Sequence, residues 1–222
     1  MKYRKFGRTG LQVSEVSLGF AFTSEPIPVL TMALDAGINL VDTAAGYGDS
    51  EDRLGTALKA CKRPIMVETK FGGRPWPFNP KDKAALRKSF EDSLKNLNLD
   101  SVDILMIHEP DRPGQYDWYD DYKNFTGPVT ELMQELKDEG LIKFLGLGGT
   151  TAYEMANVMD TGQFDVVLSA FNYSLLWREA EQAIIPVAKK HDIAVICASP
   201  LQQGWLIRRW DDEVNNGASW LS

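Results

Sequence analysis

Along the chain, short runs of apolar and β-branched residues alternate with longer segments in which apolar residues recur three or four positions apart. The short runs predict β-strands, and the longer period predicts amphipathic helices. The predicted strands are Val16–Phe20, Asn39–Thr43, Pro64–Thr69, Val102–Ile107, Lys143–Leu147, Asp165–Ser169 and Ile193–Ala198. The predicted helices between them are Pro28–Ala36, Ser50–Lys59, Pro80–Leu97, Pro128–Glu139, Tyr153–Met159 and Ala180–Lys190, with Ser50 as an N-cap.

Strands that alternate with helices predict a parallel α/β sheet with right-handed crossovers. The nearly continuous apolar strand Val102–Ile107 is typical of a sheet covered by helices. An open doubly wound sheet and a closed (β/α)8 TIM barrel both have this order of elements. The first predicted strand lacks a following GxGxxG turn, the glycine cluster Gly146–Gly149 has the wrong spacing, and no phosphate loop of the GxxxxGK[ST] type occurs. The pattern therefore favours the barrel.

The number of strands falls short of a closed barrel. The sequence shows seven, and Leu201–Ser222 has no further strand of clear period. A barrel closes only when an eighth strand pairs with both edges of the sheet, because otherwise two strand edges stay open. We expect residues 1–222 to form one barrel domain that lacks its C-terminal strand and helix. Such a chain is expected to need a partner or further residues for stability.

Composition narrows the classes of function. The chain has 222 residues, is 44% hydrophobic and 25% charged, and carries a formal net charge of −7, which is ordinary for a globular domain. The absence of a basic stripe speaks against nucleic acid, and no apolar window is long enough for a membrane span or signal peptide. Cys61 and Cys197 are far apart, which predicts a cytoplasmic protein without a disulfide framework. His108 and His191 have no metal-ligand spacing, so we expect no metal site.

Polar, titratable residues stand at the ends of consecutive predicted strands. Asp42 ends the second strand, with Tyr47 five residues later, Lys70 ends the third and His108 ends the fourth. In barrels of this kind the carboxyl ends of the strands form the active face. Four titratable groups of different types at this face predict acid–base chemistry.

The same residues carry a resemblance to a known family. Residues 42–51, DTAAGYGDSE, resemble the D-T-A-x-x-Y-G-x-S-E signature of aldo-keto reductases, and residues 6–14 are similar to that family's N-terminal hairpin. Lys70 and His108 match the remaining catalytic positions, and Ser199-Pro200-Leu201 matches the segment after the seventh strand. The resemblance extends from about residue 3 to residue 206 and implies an NAD- or NADP-dependent oxidoreductase.

The resemblance also implies a role for each residue of this set, which we call the tetrad. Tyr47 gives a proton to the carbonyl oxygen, and Lys70 lowers the pKa of Tyr47. Asp42 holds Lys70 charged, and His108 hydrogen-bonds and orients the substrate. Taken singly, each residue has a simpler explanation, such as a turn cap, a loop aromatic, a solvated lysine or a structural histidine. Four such coincidences at adjacent strand ends are improbable.

The cofactor contacts implied by the resemblance depart in part from the family pattern. They fall on Gly19, Phe20, Asp42, Gly149, Thr150, Ser199, Pro200, Leu201, Gln202, Gly204 and Leu206. Gly149 and Thr150 stand where many members have Ser-Asn. Leu168 or Ser169 stands where many members have a glutamine. Ala198 stands where many members have an aromatic residue that stacks on the nicotinamide. The motifs at residues 148–151, GGTT, and 198–201, ASPL, resemble a branch that oxidises L-fucose or L-galactose. The choice between NAD and NADP stays open.

A sugar or small carbonyl compound is the expected substrate, with contacts from Tyr47, His108, Trp76 and Trp118. The two aromatic loops at residues 72–78 and 109–125 can equally be self-packed or form a homo-oligomer contact. Two other functions stay open. One is a non-catalytic cofactor-binding or regulatory subunit with the same fold, and the other is an isomerase or aldolase that uses Lys70 as a Schiff base.

Overall fold

A computed structural model describes residues 1–73 and 77–208 of the chain. Its strands are β1 Tyr3–Lys5, β2 Gln12–Ser14, β3 Leu18–Gly19, β4 Leu40–Asp42, β5 Met66–Phe71, β6 Val102–His108, β7 Ile142–Gly149, β8 Val166–Ala170 and β9 Ala194–Ala198. Its α-helices are α1 Pro26–Asp35, α2 Ser50–Cys61, α3 Lys83–Leu97, α4 Pro128–Asp138, α5 Ala152–Met159 and α6 Ile184–His191. Every predicted strand and helix is therefore present, with ends shifted by a few residues.

Strands β3 to β9 form one parallel sheet in which sequence neighbours are also spatial neighbours. A doubly wound sheet would reverse its strand order at a switch point, and this sheet does not. The uniform order, with helices between successive strands, confirms the prediction of a (β/α)8-type barrel with seven strands.

The antiparallel hairpin β1–β2 covers the end of the barrel opposite the tetrad. Phe6 and Val13 from this hairpin join the apolar residues that fill the barrel interior. Arg8 anchors the hairpin, because its Nε donates to Asp165 Oδ1 at 2.8 Å and its backbone N–H donates to the Asp192 carbonyl at 2.6 Å. The hairpin thus closes the amino-terminal end of the sheet.

Two apolar cores lie on opposite faces of the sheet. The outer core, between sheet and helices, includes Leu54, Phe90 and Leu105. The inner core fills the barrel and includes Ile104 and Met106, which alternate with Leu105 along β6. Because successive strand residues point to opposite faces, a strand buried on both faces has an unbroken apolar sequence.

The edge strands β3 and β9 each have one neighbour in the sheet among the described residues. A cleft of about 1570 Å³ follows the side between them and reaches the tetrad at one end and the hairpin at the other. Within the described ranges, no helix is long and apolar enough to span a membrane, and no group of three His, Cys, Asp or Glu side chains is arranged to hold a metal ion. The cleft is the feature that brings solvent to the strand ends.

Candidate functional site

The structure brings the four tetrad residues together at the carboxyl ends of β4, β5 and β6. The Lys70 ammonium donates to the Asp42 carboxylate and to the Thr43 carbonyl, the latter at 2.8 Å. Its Nζ lies 4.9 Å from the centre of the Tyr47 ring. The rings of Tyr47 and His108 meet edge to face, with their centres 5.3 Å apart. The tetrad is thus one contiguous group of side chains.

Tyr47 lies in the turn between β4 and α2. Its N–H donates to the Ala44 carbonyl, and its own carbonyl accepts from the N–H of Ser50, both at 3.1 Å. Ser50 is the first residue of α2, and the N-cap position belongs to Asp49, so the predicted capping role of Ser50 is wrong. The buried Ser50 hydroxyl instead lies 2.7 Å from the Thr43 hydroxyl and donates to the Phe20 carbonyl at 3.1 Å. These contacts fix the turn that carries Tyr47.

Lys70 is buried to 1% exposure, yet it stays charged. Burial pushes the pKa of Lys70 down, but the attraction of the neighbouring groups, above all the Asp42 carboxylate, opposes burial and the pKa is left raised. Gly148 on β7 makes room for the lysine stem, since a Cβ there would lie 3.3 Å from Lys70 Cε. A Schiff-base lysine has to lose its proton at neutral pH. The raised pKa therefore speaks against the aldolase or isomerase alternative.

The pKa of Tyr47 differs in direction from the prediction. Burial raises it, and although the Lys70 ammonium acts to lower it, the Asp42 carboxylate raises it again, so that the net shift is upward. Tyr47 is therefore a neutral phenol at neutral pH, with its proton in place. That state suits Tyr47 as a proton donor to a carbonyl oxygen. For the oxidation of an alcohol, Tyr47 would have to accept a proton, so the phenol would first have to lose its own.

His108 is neutral as well. Burial, with a smaller contribution from the Lys70 ammonium, lowers the pKa of His108 to about 3. A neutral imidazole still has one N–H donor and one acceptor nitrogen. His108 is thus suited to hydrogen-bond a carbonyl oxygen but not to supply the proton.

The two tryptophans predicted to meet the substrate lie elsewhere. Trp118 is fully buried, packs against Tyr116 and Phe78, and donates from Nε1 to the His108 carbonyl at 3.0 Å. It therefore supports His108 from behind, and the substrate contact predicted for it is not what the structure shows, because none of its surface is exposed. Trp76 lies outside the described residues.

The cleft reaches Tyr47 and His108, and its lining includes the small residues Gly19, Ala21, Ala198 and Ser199 beside larger ones such as Phe22 and Phe171. Of the predicted cofactor contacts, Gly19, Asp42, Thr150, Ser199 and Pro200 line this cleft.

The other predicted cofactor residues do not line the cleft. Phe20 is fully buried in the outer core, where its phenyl group packs, and Gly149 is also buried. Leu201, Gly204 and Leu206 lie in or next to the 3-10 turn that follows β9. Gln202 donates from Nε2 to the Phe171 carbonyl and the Ser174 hydroxyl, both at 3.2 Å. The neighbouring Gln203, not Gln202, lines the cleft.

Two acidic residues, Asp111 and Glu109, accept hydrogen bonds from the segment at Gly149 and Thr150. Asp111 accepts through Oδ2 from the N–H groups of Thr150 and Thr151, at 3.0 and 2.5 Å. A Cβ on Gly149 would lie 2.3 Å from Asp111 Oδ1, so the carboxylate occupies the space of a side chain. The Thr150 hydroxyl donates to Glu109 at 3.1 Å, which leaves its oxygen free to accept a hydrogen bond. This arrangement fits an amide N–H of a ligand.

Sequence reasoning missed three contributors to this site. Glu109 lines the cleft directly after His108, and Phe171 lines it after β8. Glu68 lies on β5 two residues before Lys70 and is fully buried. Glu109 and Glu68 adjoin residues that the sequence had singled out, and an acidic residue within an apolar strand is the signal that could have revealed Glu68.

Comparison with known proteins agrees with the resemblance seen in the sequence. The model of the aldo/keto reductase family matches residues 18–218. L-galactose dehydrogenase of Arabidopsis thaliana is 34% identical over 230 residues, which cover 96% of this chain and 69% of that protein. NADH-specific methylglyoxal reductase of Escherichia coli (strain K12) is 30% identical over 237 residues, which cover 93% and 69%. Among solved structures, aldo-keto reductase AKR11C1 of Bacillus halodurans in its holo form has a TM-score of 0.77 at 26% identity, and the match covers 96% of this chain and 71% of that one.

Proposed function

The chain belongs to the aldo/keto reductase family, and from that premise we propose that it moves a hydride between a nicotinamide cofactor and the carbonyl or alcohol carbon of a sugar or small aldehyde, with Tyr47 as the general acid or base. The observation that carries the proposal is the position of Tyr47 in the lining of the cleft. There its ring lies against the Lys70 ammonium and the His108 imidazole.

NAD or NADP, when bound, supplies or accepts the hydride. In the reductive direction the neutral Tyr47 phenol donates its proton to the carbonyl oxygen as negative charge develops there. His108, neutral and fixed from behind by Trp118, donates a second hydrogen bond to the same oxygen and orients it. The buried Lys70–Asp42 pair acts electrostatically on the Tyr47 hydroxyl, the ammonium favouring the loss of its proton and the carboxylate opposing it. Thr150, Ser199 and Pro200 are the residues that would hold the nicotinamide end.

The expected substrates follow from the chemistry of the cleft and from the relatives. Glu109 and Gln115 line the cleft and can accept hydrogen bonds from hydroxyl groups. The two relatives named above are described as acting on L-galactose and on methylglyoxal. We infer a hydroxylated aldehyde or sugar as substrate and a cytoplasmic site of action, the latter supported by two cysteines that are both free thiols.

Tyr47→Phe tests the proposal. We expect fluorescence titration to give an unchanged affinity for NADH or NADPH, and turnover of a panel of aldoses and small aldehydes to fall by about a hundredfold or more, in line with the loss of a general acid. The paired titration also assigns the preferred cofactor. Full activity in Tyr47→Phe would contradict the proposal. Cofactor binding by the wild type without turnover of any substrate would favour the regulatory-subunit alternative.

A further inference from the structure

Below Lys70, inside the barrel, lies an acidic residue that the reaction as described does not use. Glu68 precedes Lys70 by two positions on β5, so both side chains point to the same face. That face is the barrel interior, because Met66 packs there with the inner core and Lys70 reaches Asp42. In the register of the sheet, Glu68 stands beside Asp42 on β4 and the apolar Ile104 on β6. Glu68 thus lies directly beneath the Asp42–Lys70 pair.

The carboxyl group of Glu68 is completely enclosed. Its residue exposure is 0%, and no N–H or O–H group in the described part of the chain donates a hydrogen bond to either carboxyl oxygen. The Lys70 ammonium is already engaged by Asp42 and the Thr43 carbonyl. Burial, followed by the Asp42 carboxylate, raises the pKa of Glu68 well above its usual range, and Lys70 only partly opposes this. An enclosed, unpaired carboxylate is strongly disfavoured, so these surroundings favour the protonated form of Glu68.

We propose that Glu68 is a positioning residue of the catalytic centre, a neutral carboxylic acid that donates a hydrogen bond to Asp42 from inside the barrel and so holds the Asp42–Lys70 pair against Tyr47. A carboxylic acid has one hydrogen to donate, and Asp42 is the charged acceptor beside it in the sheet. Hydrogen bonds from a neutral acid to a carboxylate are short and strong. Tyr47 is thereby influenced by a residue that it does not touch.

The protonation state is measured first, because it does not depend on turnover. Infrared spectra of the wild type and Glu68→Gln are compared at neutral pH. We expect the carbonyl stretching band of a protonated carboxyl group in the wild type, lost in Glu68→Gln and kept in Glu51→Gln. Glu51 is the matched control, since it is equally buried but accepts a hydrogen bond from the Thr69 hydroxyl at 2.6 Å. A wild-type spectrum without this band would overturn the proposal.

The positioning role is measured at Tyr47. The ultraviolet titration signal that disappears in Tyr47→Phe reports the pKa of Tyr47 with or without activity. Glu68→Gln keeps the shape and a donor, so we expect this pKa unchanged. Glu68→Leu fills the space without a donor, so we expect the pKa to shift while the stability of the fold stays equal or rises. An equal shift in both variants, or no shift in Glu68→Leu, would overturn the role.

Kinetics add a consequence that rests on the proposed function. We expect kcat of Glu68→Leu to fall about tenfold or more with KM little changed, and kcat of Glu68→Gln to stay within about threefold of the wild type. A wild type without turnover would overturn the proposed function and leave the spectroscopic results to decide on Glu68. If Glu68→Leu does not fold, the infrared band and the Tyr47 titration in Glu68→Gln decide, and a shifted pKa in that variant contradicts the proposal.

Discussion

The buried ion pair between Asp42 and Lys70 should behave as one energetic unit. Lys70 is 1% exposed and Asp42 17% exposed at the side chain. Asp42→Asn leaves an enclosed ammonium with the Thr43 carbonyl as its remaining acceptor, and breaking a buried pair from one side costs about 3–5 kcal/mol. We expect the lower end, about 3 kcal/mol, for Asp42→Asn, because the cleft admits some water. Lys70→Met leaves a carboxylate that water partly reaches, and we expect about 2 kcal/mol.

The double variant Asp42→Asn/Lys70→Met removes both charges at once. We expect it to lose about 2–3 kcal/mol less than the sum of the two single changes. Urea unfolding of the four proteins at pH 7 measures this coupling. The exposed pair Lys88–Asp92 on α3, at 62% and 41% side-chain exposure, is the matched control and should couple by less than about 0.5 kcal/mol. Additive losses at Asp42 and Lys70 would show that the two charges are solvated independently, contrary to the structure.

Two further predictions concern His108 and Gly149. The pKa of His108 is lowered to about 3 in the fold, whereas an unfolded histidine titrates near pH 6.5. Between these values the unfolded chain binds a proton that the folded chain does not. This contribution to the stability of the fold is therefore fully present above about pH 6.5 and falls as the pH drops toward 3. Urea unfolding at several pH values should show a shallower loss in His108→Gln than in the wild type, and identical slopes would contradict a neutral His108. Gly149→Ala should cost about 1–3 kcal/mol, because its Cβ would displace the Asp111 carboxylate that holds Thr150 and Thr151. Gly114→Ala, where a Cβ meets nothing within 4 Å, is the control for thermal unfolding, and equal melting temperatures would contradict the close approach.

Much of the fold followed from periodicity, since the seven strands of the parallel sheet were all predicted from apolar runs. The rule that parallel strands end at a common edge then places Asp42, Lys70 and His108 together from the sequence alone. The ends of elements were less accurate. Val16, predicted as the start of the first strand, is 56% exposed and precedes β3, because a β-branched residue forms a strand only where a partner strand is present.

The details of the site depended on burial, which local sequence does not encode. The ammonium of Lys70 does act to lower the pKa of Tyr47, as predicted, but burial of the phenol outweighs it. Trp118 looked like a substrate contact because it lies in an aromatic loop after a barrel strand. In the structure that loop folds back on itself through Tyr116 and Phe78, and this packing depends on contacts between distant parts of the chain.

The glycines of β7 connect the fold to the chemistry. In the sequence, the glycine cluster Gly146–Gly149 was informative only because it lacks the GxGxxG spacing of a dinucleotide-binding loop. In the structure, a Cβ on Gly146 would lie 2.7 Å from Met106 Cγ, and one on Gly148 would lie 3.3 Å from Lys70 Cε. A barrel interior of ordinary branched residues has no room for a long charged side chain. Gly146 and Gly148 therefore leave the space in the interior that Met106 and Lys70 occupy. Substituting these glycines would disturb the Tyr47 environment although they need not touch any ligand.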